Sequence, residues 1–126
     1  MGLFLFRRAV QKKGQLKNNC VEIELLYFEG CPTYMTTLKD LEALVKEEGI
    51  DSHLTLVKVE SKKEAETLRF LGSPTVRVNG VDVEQPARTT NEYGLSCRIY
   101  RVAGKMLGSP PKEMLRQAIK VARAER

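Results

Sequence analysis

Asn79-Gly80 stands between two alternating segments, "TVRV" and "VDVE", and constrains the fold more than any other dipeptide in the chain. Such a pair between alternating runs predicts a tight antiparallel hairpin. Upstream, "VEIELLYF" (Val21 to Phe28) alternates at first and then becomes continuously apolar, the pattern of a strand entering the middle of a sheet. Gly30 ends it. Pro32 suits the first position of a helix, and Tyr34, Leu38, Leu41, Leu44 and Val45 then recur at helical spacing up to Gly49, a C-terminal stop. A second strand follows in "HLTLVKVE". Ser61 three residues ahead of Glu64 forms a capping box that opens a short helix through Leu68, which closes at Gly72.

These elements give the order β-α-β-α-β-β. "ARTTNEYGLS" reads as a loop and "CRIYRV" as a candidate short strand. A last helix begins with Ser109 as cap and Pro110 in the first turn. Met114, Leu115, Ala118, Ile119 and Ala122 mark its buried stripe. The predicted class is α/β: a central mixed four-stranded sheet flanked by helices, in the order β-α-β-α-β-β-α, over residues 21–126. Residues 1–20 form a basic extension whose "LFLF" must be covered by the domain's own surface or by a second copy, which makes a homodimer through the extension one option.

The 126 residues, 42% hydrophobic and 29% charged, suit one domain that buries most of its apolar surface. No apolar run approaches the roughly 20 residues of a membrane helix. The N-terminus lacks a signal-peptide pattern, so a cytoplasmic location and no membrane partner are expected. Much of the +5 charge sits at the two ends, and no aromatic residues alternate with it to stack bases; no specific nucleic-acid partner is expected. Three cysteines, an odd number, do not make a secreted disulfide framework.

A strand, a Gly30-Cys31-Pro32 turn, a helix, and later Ser73-Pro74-Thr75 before a strand ending in Asn-Gly together resemble the thioredoxin and glutaredoxin superfamily, over most of the chain from Val21 onward. The resemblance implies a thioredoxin-like fold, Cys31 as the reactive thiol, and Pro74 as a cis-proline beside it. Flanking backbone groups at Ser73 and Thr75, with Pro32, would then meet an extended substrate. "YGLSCRIY" is additionally similar to small thioredoxin-like proteins often labelled alkylmercury lyase. Two features depart from the superfamily. Tyr34 stands where a dithiol member has its second cysteine, and "VEQPARTT" replaces the Gly-Gly turn that helps hold glutathione.

At a helix N-terminus, unpaired N–H groups favour negative charge, so Cys31 is expected to have a lowered pKa and to serve as a nucleophile. Cys97 is either its resolving partner or a structural cysteine opening "CRIYR". The resolving role requires the two Cα atoms to come within roughly 4.4 to 6.8 Å. Glu29 is a proton acceptor for Cys31 or simply solvated. Arg98 and Arg69 either assist a thiolate or an anionic substrate, or form surface ion pairs. His53, the single histidine, has no partners for a zinc site, and no metal or other cofactor is expected. The functional expectation is a thiol-dependent oxidoreductase acting on a thiol or disulfide substrate, small or protein. Its alternatives are a soft-metal or mercury-binding protein using Cys31 and Cys97, and a non-catalytic binding domain.

Overall fold

A computed structural model describes residues 20–124. The chain runs β1 (Val21–Tyr27), α1 (Tyr34–Glu48), β2 (Ser52–Lys58), α2 (Lys62–Leu68), β3 (Thr75–Val78), β4 (Val81–Asp82), a 3-10 turn (Gln85–Thr89), β5 (Tyr100–Val102), β6 (Lys105–Leu107) and α3 (Lys112–Ala124). Four strands form one mixed sheet in the order β2-β1-β3-β4, with β1 parallel to β2 and the other neighbours antiparallel. Among the described residues no helix is long and apolar enough to cross a membrane. The basic extension and the homodimer contact ascribed to it lie, apart from Cys20, outside the described residues.

The change of pattern within β1 has a direct cause. Val21, Ile23 and Leu25 point into a core shared with Leu41 and Leu44 of α1, Val76 and Val78 of β3, and Leu115 and Ile119 of α3. Leu26 points the other way, into a smaller cluster of Val59, Ala65 and Phe70 beneath α2, with Phe28 against it. The opposite face is thus uncovered at Glu22 and covered at Leu26, and alternation stops where the second cover begins. Each fully buried aliphatic side chain contributes about 1.5–3 kcal/mol.

Asn79 (φ 51°) and Gly80 (φ 82°) form the expected turn between β3 and β4. Both lie in the left-handed region, as a two-residue hairpin of this twist requires. Ser61 accepts from the Glu64 amide at 3.1 Å, and the Glu64 carboxylate accepts from the Glu60 amide at 2.8 Å, closing the cap of α2 from both sides.

Three boundaries differ from the sequence reading. Helix α1 starts at Tyr34, not Pro32, with Thr33 at its N-cap. The residue before a proline disfavours helical geometry, which keeps Cys31 in the turn, and Pro32 stays there with it. Helix α2 runs through Leu68 as expected, but its C-cap is Arg69 (φ 57°) rather than Gly72. The β-α-β-α-β-β-α order also gains a hairpin, β5-β6, which stands apart from the main sheet and turns on Ala103 and Gly104, both at positive φ. The predicted loop after β4 coils partly into the 3-10 turn.

Gly72 has its own reason to be glycine. Its φ is +117°, and a Cβ there would stand 3.0 Å from the Ser96 carbonyl oxygen and 3.1 Å from Arg98 Cβ. Gly49, the C-cap of α1 at φ +61°, meets nothing within 4 Å. Gly49→Ala should therefore cost about 1 kcal/mol of backbone strain. Gly72→Ala should cost more, about 2–3 kcal/mol, because main chain must also shift. Urea denaturation of the two variants checks the order, and equal losses would contradict it.

Candidate functional site

The turn after β1 delivers Cys31 to the start of α1. Its amide donates to the Phe28 carbonyl at 3.1 Å, and its side chain is only 5% exposed. Burial is the largest single influence on the thiol and would raise its pKa. The Ser73 hydroxyl, the Thr33 hydroxyl and the Thr33 and Tyr34 amides together outweigh burial, and the pKa lies below the ordinary thiol value. The two amides are those of the N-cap and the first residue of α1, where N–H groups have no helical acceptor.

The two hydroxyls are not equivalent. Thr33 Oγ1 donates its hydrogen to the Gly108 carbonyl at 2.9 Å and lies 3.5 Å from Cys31 Sγ. A neutral thiol can donate to that oxygen, but a thiolate must compete with Gly108 for one hydrogen. Ser73 Oγ is buried and has no hydrogen-bond partner of good geometry, yet it lies close enough to act on the sulfur. A thiolate supplies the acceptor that this hydroxyl lacks.

Ser73 also connects the two thiols. The Ser73-Pro74 peptide is cis. The Ser73 amide donates to the Ser96 carbonyl at 2.8 Å, and the Arg98 amide donates to the Ser73 carbonyl at 2.9 Å. These two bonds form a parallel bridge that pairs Ser73 with Cys97. Bridged residues lie about 4.8 Å apart. Cys97 is exposed, and neither it nor Cys31 is in a disulfide. The expectation that backbone groups flanking Pro74 stand open needs correction here, since the segment Ser96–Arg98 occupies those of Ser73. Nor is Thr75 open to a ligand. It is fully buried, donating from Oγ1 to the Gly72 carbonyl at 2.5 Å and accepting from Arg98 at 3.1 Å. Pro32 is exposed beside Cys31.

Beneath this bridge lies a buried ion cluster that the sequence did not disclose. The Arg98 guanidinium, 5% exposed, makes two 2.8 Å bonds to Asp82 and one of 3.2 Å to Glu84, and its Cζ stands 4.3 Å over the Tyr100 ring. Burial opposes the charge on Arg98, but hydrogen bonds and charge from Asp82 and Glu84, with Tyr100, raise its pKa. Burial raises the pKa of Tyr100, so its hydroxyl stays protonated and donates to the Pro74 carbonyl at 2.5 Å. Arg98 is thus neither a surface partner nor a ligand of the thiolate. Asp82 and Glu84 are engaged by it, and Glu84 also lines a groove beside Cys97.

The remaining candidates fall away from the thiol. Glu29 pairs with Lys58 at 2.9 Å on the surface. That hydrogen bond and the Lys58 charge lower its pKa. Arg69 caps α2, and its carbonyl accepts from Arg77. His53 pairs with Glu22 in the open. Tyr34 stacks on Tyr27 with ring centroids 4.1 Å apart, a packing role at the position where the resembled superfamily has a second cysteine. Among the described residues, no three His, Cys, Asp or Glu side chains gather into a set that could hold a metal ion.

Compared with known families, residues 21–119 match the model of a domain of unknown function, DUF2703. No curated protein and no solved structure matches the chain.

Two outcomes follow from this geometry. Ser73→Ala should raise the pKa of Cys31 more than Thr33→Val does, read from thiolate absorbance against pH. In the parent chain the folded state holds the thiol proton less tightly than the unfolded one. Stability from this source is present above the ordinary thiol pKa of 9.0 and is lost as pH falls through the lower folded value. Ser73→Ala should shrink that increment, and an unchanged pKa would refute the role of the hydroxyl. Arg98→Met leaves the buried Asp82 and the partly buried Glu84 without a counter-charge and should cost about 3–5 kcal/mol in denaturant unfolding.

Proposed function

The chain belongs to the DUF2703 family, and we propose that it is a thioredoxin-like, thiol-dependent oxidoreductase with Cys31 as nucleophile and Cys97 as resolving thiol. One observation carries the reading: Ser73 has a buried hydroxyl with no hydrogen-bond partner, close enough to Cys31 to lower its pKa, and its backbone is bridged to Cys97. A residue that favours one thiolate and is bridged through its backbone to a second cysteine has a clear use in disulfide exchange. A lone structural cysteine gains nothing from either arrangement.

In this reading the Cys31 thiolate attacks one sulfur of an oxidised substrate RSSR′. The S–S bond breaks, R′S⁻ departs, and Cys31 is left as a mixed disulfide with RS. Cys97 then loses its proton to solvent and attacks the Cys31 sulfur. RS⁻ leaves, and a Cys31–Cys97 disulfide remains. A dithiol reductant returns two electrons and restores both thiols. The low pKa of Cys31 serves both steps, since it supplies thiolate for attack and makes a good leaving group on reduction.

The test is a trapping experiment on the full chain. Cys97→Ser, treated with a disulfide, should accumulate a mixed disulfide at Cys31 that mass spectrometry detects. The parent chain should pass on to the internal disulfide, and Cys31→Ser should form neither. Substrate reduction by Cys31→Ser at the parental rate would end the proposal.

A further inference from the structure

A polypeptide presented to a thiol at a sheet edge is held chiefly by main-chain hydrogen bonds, with side chains adding specificity. The residue to offer such bonds beside Cys31 is Ser73, and both its main-chain groups are taken by the chain's own segment at 2.8 and 2.9 Å. That segment is firmly held. Arg98 fixes it through Asp82, Glu84 and Thr75, and the Gly94 amide ties its beginning to the Phe70 carbonyl at 3.1 Å. Gly72, without a Cβ, lets it lie close. A competing strand would have to strip a buried ion cluster from its partners.

The rest of the surface fits a smaller visitor. Cys31 is 5% exposed, an opening for a thin group and not for a folded surface. On the Cys97 side of the bridge lies a groove of about 440 Å³, within the size range of small-molecule sites, whose lining includes Glu92, Ser96, Ile99 and Arg101 but not Cys31. Glu92 and Arg101 bring a charge of each sign to that lining, and the Arg101 amide donates to Glu84 Oε2 at 3.1 Å.

We propose that the oxidised substrate is a low-molecular-mass disulfide and that the Ser96–Arg98 segment excludes polypeptide disulfides from Cys31. The inference rests on the thiol reading above and follows the same exchange: Cys31 bonds to one half of the small disulfide, and the other half leaves as its thiolate.

The experiment uses full-length Cys97→Ser, which keeps the backbone bridge. Its reduced form is mixed with bis(2-hydroxyethyl) disulfide or with an unstructured peptide carrying a disulfide whose leaving thiol has matched pKa. Mixed-disulfide formation at Cys31 is timed by quenching and mass spectrometry. The small disulfide should react ~100-fold faster or more, the factor expected if the peptide must first break a buried ion cluster. Peptide rates equal to or above those of the small disulfide overturn the substrate class while leaving thiol chemistry intact. Reaction with both probes no faster than free cysteine overturns the thiol reading itself, and the inference with it.

Discussion

The buried Arg98 guanidinium holds together parts of the molecule that otherwise have little reason to meet. It joins Asp82 at the end of β4, Glu84 before the 3-10 turn, Thr75 at the start of β3 and the ring of Tyr100 in β5. A cluster of one cation and two carboxylates out of water is costly to assemble, and its worth lies in what it specifies more than in net stability. Here it specifies where a loop lies. The 72–75 segment and the 96–98 segment are pressed together over it, and the site exists only while they remain so.

Ser73 shows how little sequence such a site needs. Its hydroxyl is buried without a partner, a costly state for a neutral protein interior and a useful one beside a sulfur that can become an anion. Thr33 makes the contrast, because its hydrogen already serves Gly108. Two hydroxyls at one thiol therefore act with different strength, and the difference comes from their other bonds and not from their chemistry.

Much of the fold was legible because local and global signals agreed. The shift in β1 from alternation to continuous apolar residues recorded the point where α2 covers the second face, and Asn79-Gly80 recorded its turn. Of the β5-β6 hairpin, the first strand was legible within "CRIYRV", but the turn and β6 were not, because Ala103 carries no turn signal and is found at positive φ. The start of α1 was read two residues early, since a proline suits a first helical position and equally well a turn before it. Cys31 was singled out by its place after a strand and glycine. The burial of Arg98 left no trace in sequence: its carboxylate partners lie 14 and 16 positions away, beyond any local pattern.

The segment that pairs with Ser73 behaves as an extended chain from Cys97 to Arg101, with Cys97, Ile99 and Arg101 outward and Arg98 and Tyr100 inward. Side chains in such a chain repeat every second residue, so a slip of one position would turn every one of them over. The slip would carry the guanidinium into water and leave the buried Asp82 and the partly buried Glu84 without it. The register is therefore keyed by charge and not by the two short backbone bonds alone. Whether the second sulfur can be reached from solvent is decided one residue away, by a side chain turned wholly inward.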